Sequence, residues 1–277
     1  MRLLKQIQNE IGYNSMPTSN YTRCPLCHSV GTPFWRAASV WKCSSCELLF
    51  RYPVLSCPEL AELYSKSWQA PHEYTNETGG TDPDLARIYA RKLADSLDIK
   101  DFRGLKILDF GAGRGAICSA LSELGANVYA VEPFGFEYLV KQGFTTFRSL
   151  DEIPQGFTFD GIISIDVIEH LPYPWHEFAQ LRELLAFSGW LYVTTANSSG
   201  LNATIFGSRW RELHKTGHLI LFSPSNIEFL LKKCGFSKYR RLKWFIEYAK
   251  NPIRRLLHSA LQTLNLDGEL RYIAWKL

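Results

Sequence analysis

The feature that most restricts this chain is the segment ILDFGAGRGAI, residues 107–117. An apolar run of strand type passes through Gly111, Gly113 and Gly115 and then enters a helical pattern. Glycine lets the backbone turn tightly and approach a ligand closely, and the helix that follows offers unpaired N–H groups to whatever lies in the turn. After about twenty residues a second strand-type run, Val128 to Val131, ends in Glu132, where a carboxylate can accept both hydroxyls of a ribose. This unit predicts an open, mostly parallel sheet with crossover helices, binding a nucleoside-bearing ligand at the turn.

The rest of the chain from Leu105 onward agrees with that sheet. Strand-type runs are predicted over 106–110, 127–132, 145–148, 159–165, 189–195, 239–248 and 271–276, seven in all. Helical spacing links them through Ile117, Leu121 and Leu124, then through Phe178, Leu181, Leu184 and Leu185 with Gly189 as a stop, then from Ser223-Pro224 to Gly235. Ahead of the sheet, Asp82 is an N-cap with Pro83 at the first helical position, and Leu85, Ile88, Tyr89, Leu93 and Leu97 follow at helical spacing. A short helix is predicted over 58–63, and the polar stretch 65–81 reads as a linker or lid. The resulting division is an N-terminal arm (1–20), a cysteine-bearing module (21–56), a helical linker or lid (57–100) and a sheet domain (101–277).

Four of the seven cysteines form the pattern C-x2-C-x15-C-x2-C: Cys24, Cys27, Cys43 and Cys46. Each C-x2-C knuckle can direct two thiolates at one ion, so the set predicts a tetrahedral Zn(Cys)4 ribbon; free thiols or an iron centre are the alternatives. A closed four-thiolate shell leaves no open position, which gives the zinc a structural task. Cys57, Cys118 and Cys234 read as ordinary apolar positions.

A chain with 46% hydrophobic and 21% charged residues is neither disordered nor collagen-like. No run approaches the roughly 18 apolar residues of a membrane span, and the first residues lack a secretory h-region, so the expected compartment is the cytoplasm. Net charge is +4, unevenly placed, because residues 238–277 hold nine Lys/Arg against three Asp/Glu. Within that tail a helix near 252–265 carries Ile253, Leu256, Leu257, Ala260, Leu261 and Leu264 on one stripe. Such a stripe packs on its own domain or on a second subunit; with Arg254 and Arg255 beside it, peripheral contact with an anionic membrane at the inner face is the sharper alternative.

On these motifs the chain resembles the class I S-adenosylmethionine-dependent methyltransferases. Asp109, Gly111, Gly113 and Gly115 match the family's first motif, Glu132 its acidic second-strand end, and Phe159 to Asp166 followed by Val-Ile-Glu169-His170-Leu171-Pro172 its fourth-strand motif. Gly189-Trp-Leu-Tyr-Val-Thr-Thr is similar to its fifth strand. The resemblance implies a Rossmann-like seven-stranded sheet with helices on both faces, preceded by the zinc ribbon. It further implies S-adenosylmethionine held by Asp109, Gly111, Ala112, Gly113, Gly115, Glu132, Pro133, Ser149, Leu150 and Asp166. Where many relatives place an acidic adenine contact after the third strand, this chain reads Phe147-Arg148-Ser149-Leu150-Asp151, which leaves adenine to backbone groups. The ribbon and the runs Cys46 to Pro53 and Glu59 to Tyr64, with Gly217-His218-Leu219, Phe222-Ser223-Pro224, Leu230-Leu231 and Gly235-Phe236, are also similar to a bacterial branch associated with small molecules, sugars and surface-glycan precursors.

Methyl transfer from a sulfonium to a hydroxyl needs an in-line approach, exclusion of water and a base. His170, His214 and His218 are the candidate bases, with Glu169 beside them. Asp166, Glu169 and His170 fall at i, i+3 and i+4 and can line the acceptor pocket or hold Mg2+, as a similar run does in quinone-pathway O-methyltransferases. The connection 197–217, with Phe206, Arg209, Trp210 and Arg211, is expected to cover the substrate with aromatic walls. An RNA methyltransferase that uses ribbon and tail for recognition is the main rival, and a non-catalytic cofactor-binding scaffold the second. Against the first, the ribbon is poor in Lys/Arg and the segment after the fourth strand is not of the Asn/Asp-Pro-Pro-aromatic type.

Overall fold

A computed structural model describes residues 22–69, 82–244 and 252–277. The predicted arm 1–20, and the part of the predicted lid at 70–81, lie outside the described residues. The chain opens with β1 (Thr22–Arg23), β2 (Val30–Trp35), β3 (Val40–Cys43) and β4 (Leu49–Arg51), followed by helix α1 (Cys57–Gln69). α1 is longer than the sequence suggests, taking residues 65–69 that were expected to begin the linker. Asp82 then caps α2 (Pro83–Leu97), its carboxylate accepting from the N–H groups of Asp84 at 2.8 Å and Leu85 at 3.3 Å.

The main sheet follows as β5 (Lys106–Phe110), α3 (Ala116–Glu123), β6 (Asn127–Val131), α4 (Phe136–Lys141), β7 (Thr145–Phe147), β8 (Phe159–Ile165), α5 (Pro174–Leu184) and β9 (Leu185–Ala196). It is completed after α6 (Leu201–Phe206), β10 (Ile220–Leu221) and α7 (Pro224–Lys233) by β11 (Lys238–Arg241), α8 (Pro252–Thr263) and β12 (Glu269–Trp275). The seven strands stand in the order β11-β12-β9-β8-β5-β6-β7, parallel from β9 to β7, with β12 antiparallel to both of its neighbours. The chain moves from β5 outward through β6 and β7, then returns to β8 and β9 on the other side. That reversal opens a crevice beyond the carboxyl ends of β5 and β8, where ligands bind in such sheets.

Buried residues flank the sheet on both faces. Ile107, Ile163, Tyr192 and Ile273 meet α2 and α3, whereas Leu108, Ile162, Leu191, Val193 and Tyr272 belong to the core shared with α5, α7 and the cysteine module. Two sequence boundaries shift for identifiable reasons. β9 begins at Leu185, which pairs with Phe159, and the register then slips until Gly161 meets Trp190, with Ser188 at φ 63°. The predicted helix therefore stops before Leu185, and Gly189 lies inside the strand. β11 ends at Arg241 because Leu242 and Trp244 turn in to be buried, and the remainder of the predicted 239–248 strand from residue 245 lies outside the described residues.

The cysteine module forms a second, antiparallel sheet in the order β1-β2-β3-β4-β10. Its last strand comes from the distant segment 220–221, with Ile220 opposite Phe50 and Leu221 opposite Leu49. The connection 197–217 also turns toward this module: Trp210 and Leu213 are buried with Val40, Leu49 and Leu221, while Phe206 stays exposed. Trp210 thus walls the joint between the two sheets, in contrast to the expected wall of a substrate cleft. Among the described residues no helix is long and apolar enough to cross a membrane.

Candidate active site

The crevice has two halves. The first is built from β5, β6 and the turns after them. Gly111 adopts φ +82°, and a Cβ there would come within 2.3 Å of Val167 Cγ2. Gly115 at φ +77° precedes α3, and its Cβ would meet Leu139 Cδ2 at 2.8 Å. Only glycine fits this turn. Asp109 is buried at the end of β5, accepts from the Cys118 thiol at 3.2 Å, and is pushed by burial up to about 7.

Glu132 clasps the turn from the second strand. One carboxylate oxygen accepts from Gly113 N–H at 3.0 Å, and the other from the N–H groups of Phe134 at 3.0 Å and Gly135 at 3.3 Å. Burial raises its pKa against these donors. Ala112 contributes backbone, its N–H reaching Val131 O at 3.3 Å beside Gly111 N–H at 2.9 Å. Pro133 and Ser149 are exposed at the rim, and Leu150, half-buried, opens a one-turn helix through Glu152. The cradle a Cβ would fill, the flanking carboxylates and the N-terminus of α3 fit S-adenosylmethionine.

Two residues of this half escaped the sequence reading. Trp68, on the last turn of α1, lies so close to Gly135 that a Cβ there would overlap its ring. The Arg114 guanidinium stands 4.5 Å above Trp68 and 5.6 Å from Tyr138. The available signal was the aromatic pair Tyr64 and Trp68 at i, i+4, obscured by the polar residues around them.

The second half is gathered from three distant segments. After β8, Asp166 takes φ +53°, and the Thr194 hydroxyl donates to its Oδ1 at 3.2 Å. The Asp166 side chain remains exposed, and desolvation by the surrounding protein raises its carboxyl above the usual range. The turn Ile168–His170 then brings Glu169 and His170 against His218, with ligand atoms of all three within 4.8 Å of one another. The two imidazoles are perpendicular, with centroids 4.8 Å apart. His214 is exposed and stands outside the cluster, as does Asp166.

Two contacts at Nδ1 bear on the tautomer of His170. Its Nδ1 lies 2.9 Å from Gly217 O and 2.9 Å from the Tyr64 hydroxyl, which itself reaches Gly217 O at 3.3 Å. A carbonyl oxygen only accepts, so the Gly217 contact favours the tautomer protonated at Nδ1, with the lone pair of the neutral ring on Nε2. Burial pushes His170 down to about 4, and burial with His170 and Lys215 nearby pushes His218 down to about 2, so both rings are neutral at pH 7. Burial and the neighbouring Asp166 hold the Glu169 carboxyl well above the usual range. Glu169 Oε2 and His218 Nδ1 are buried without a hydrogen-bond partner among the described residues, and such atoms point to a ligand. As an ion site, the trio offers one carboxylate and two imidazoles, a donor set that suits zinc better than magnesium.

The four cysteines converge as predicted. Cys24 and Cys46 sulfurs are 3.6 Å apart, those of Cys27 and Cys43 3.4 Å, and all four lie within 4.8 Å of one another. Thiolates at 2.3 Å from a tetrahedral ion stand about 3.8 Å apart, so the cluster fits structural zinc. N–H groups of Leu26 and Ser45 point at Cys24 and Cys43 sulfurs, each at 3.4 Å, as knuckles around a thiolate require.

Comparison with known proteins agrees with this geometry. Residues 82–240, more than half of the chain, match the family described as methyltransferase domain. The chain belongs to that family, and its seven-stranded sheet is the class I fold of S-adenosylmethionine-dependent methyltransferases. It is 28% identical over 156 residues to a ubiquinone biosynthesis O-methyltransferase of Cereibacter sphaeroides, covering 50% of this chain and 63% of that protein. A protein of the same name from Chelativorans is 29% identical, with 49% and 60% covered. The chain thus spans about three fifths of the length of these relatives. Among solved structures, a SAM-dependent methyltransferase from Archaeoglobus fulgidus superposes with a TM-score of 0.51 at 18% identity, covering 78% of this chain and 99% of the other. The 1,6-didemethyltoxoflavin-N1-methyltransferase of Burkholderia thailandensis, solved with S-adenosylhomocysteine, gives 0.53 at 17% identity, covering 84% and 97%. At these identities the structures speak for the fold.

Proposed function

We propose that the protein transfers the methyl group of S-adenosylmethionine to an oxygen of a small-molecule acceptor, with His170 as general base. The observation that carries this is His170 Nδ1 at 2.9 Å from the Gly217 carbonyl, a contact that favours the tautomer with its lone pair on Nε2. Bound S-adenosylmethionine supplies an electrophilic methyl on a sulfonium. Gly111 to Gly115 and Glu132 hold the nucleoside end, while Asp109 and Asp166 line the crevice between the halves. An acceptor hydroxyl aligned with that methyl passes its proton to Nε2 as the carbon–oxygen bond forms and the carbon–sulfur bond breaks. Because the ring is neutral down to about pH 4, the lone pair is available throughout the physiological range. Glu169 and His218 wall the pocket beside it.

The names of the curated relatives, O-methyltransferases of ubiquinone biosynthesis, support oxygen as the acceptor atom. The ribbon and the Gly217-His218-Leu219 segment support the narrower reading of a sugar or surface-glycan precursor. Both are tested by incubating the protein with methyl-labelled S-adenosylmethionine and a fractionated bacterial extract. Label in nucleotide sugars or lipid-linked glycans is expected. Label in RNA overturns the reading in favour of the ribbon and tail as a nucleic-acid surface, and an absence of transfer with intact cofactor binding makes the chain a scaffold.

A further inference from the structure

Arg51, the last residue of β4, pairs with no acidic side chain among the described residues; its guanidinium spends its donors on backbone carbonyls. Nε donates to His218 O at 2.9 Å, one terminal nitrogen to Ala38 O at 3.2 Å, and the other to Leu213 O and, at 3.4 Å, Lys215 O. The Arg51 main-chain N–H also donates to Leu219 O at 2.8 Å, continuing the β4–β10 ladder. Three of the four side-chain acceptors belong to residues 213–218. The loop they shape contains both Gly217, whose carbonyl sets the His170 tautomer, and His218, whose ring faces it.

The geometry points to Arg51 as a positioning residue for the acceptor-side histidines, which makes the cysteine module a part of the reaction machinery. A planar fork of five donors is suited to gathering several carbonyls from one turn, a task an ammonium group performs poorly. The module is fastened to the sheet domain independently of Arg51. Asn226 Nδ2 donates to Cys46 O at 2.7 Å, and Lys233 Nζ to Leu26 O at 2.6 Å, so that both knuckles are tied to α7. Loss of the guanidinium therefore releases the 213–218 loop and leaves the ribbon seated. The inference rests on His170 acting as the base, and its test separates the two.

The test uses full-length, zinc-loaded protein labelled with 15N-histidine, comparing wild type with Arg51→Met and Arg51→Lys. Zinc content and S-adenosylhomocysteine affinity serve as controls and are expected to stay within twofold of wild type. In wild type, His170 is expected to show a protonated Nδ1 and a bare Nε2. In Arg51→Met it should show both tautomers, with methyl transfer to the labelled acceptor fraction falling at least tenfold and KM for the cofactor unchanged; Arg51→Lys, retaining charge and stem, should fall between. A mixed tautomer with undiminished transfer supports the positioning by Arg51 and removes His170 as base. An unchanged His170 spectrum in Arg51→Lys and Arg51→Met overturns the proposal.

Discussion

The two halves of the crevice are built in opposite ways. On the cofactor side nearly everything comes from residues 107–135: a strand, a glycine turn, a second strand and a carboxylate that bonds back to the turn nineteen residues earlier. On the acceptor side Tyr64 meets His170 across 106 residues, and Arg51 meets His218 across 167. The first half is tied together locally, Glu132 accepting from Gly113, Phe134 and Gly135. The second is held in shape by a module whose four clustered cysteines fit structural zinc. A family can thus keep one cradle for the cofactor while the acceptor pocket is rebuilt by whatever packs against it.

The largest effect should come from removing the metal site. Cys24→Ser with Cys43→Ser should abolish zinc retention by elemental analysis, since structural zinc contributes roughly 10 kcal/mol or more to such folds. If the halves are independent, cofactor binding in calorimetry persists while methyl transfer is lost; equal loss of both would break the comparison. Full zinc content in that variant would falsify the ribbon itself.

Next in size is His170→Ala, for which transfer should fall by about 10²–10⁴-fold with S-adenosylhomocysteine affinity unchanged. The pH dependence adds a sign. His170 lies below its ordinary value, so it is neutral above about pH 4 and loses its lone pair only as pH falls through that value. The rate should therefore stay flat down toward about pH 4 on the base's account; an acid limb well above that value would take the proton transfer away from His170.

Gly111→Val is the mirror experiment in the other half. It puts a branched side chain at φ +82° against Val167, and cofactor affinity should fall about a hundredfold, with zinc content and the His170 tautomer intact. Unchanged affinity would mean that the cradle has been placed on the wrong turn.

What the sequence revealed follows the same division. Gly111, Gly113, Gly115 and Glu132 were legible because each is explained by neighbours within one strand-turn-helix unit. The four cysteines were legible because metal chemistry fixes their spacing. Arg51 and Tyr64 lie in runs that resemble the bacterial branch, but no local spacing gives either a role: one is a basic residue in a short strand, the other an aromatic at the edge of a polar stretch, and their meaning appears only when β10 and the Gly217 turn arrive. Trp210 misled for the same reason, since an aromatic in a long connection suits a cleft wall and an inter-sheet joint equally well.

The smallest effect should separate holding from shaping on the acceptor side. Tyr64→Phe deletes one hydroxyl that lies 2.9 Å from His170 Nδ1 and 3.3 Å from Gly217 O, and leaves the Nδ1 to Gly217 O contact of His170 in place. The net worth of one such hydrogen bond is about 1 kcal/mol, so transfer should slow by roughly fivefold with the tautomer unchanged. The ring contact with Phe134, centroids 5.5 Å apart, survives in the variant, so α1 should keep its seat and cofactor affinity should not move. A loss as deep as that of His170→Ala would instead make the Tyr64 hydroxyl a group that touches the reacting atoms. In that case α1, together with Trp68 on the cofactor side, would span both halves of the site, and the division between a local cradle and an assembled pocket would have to be redrawn along this helix.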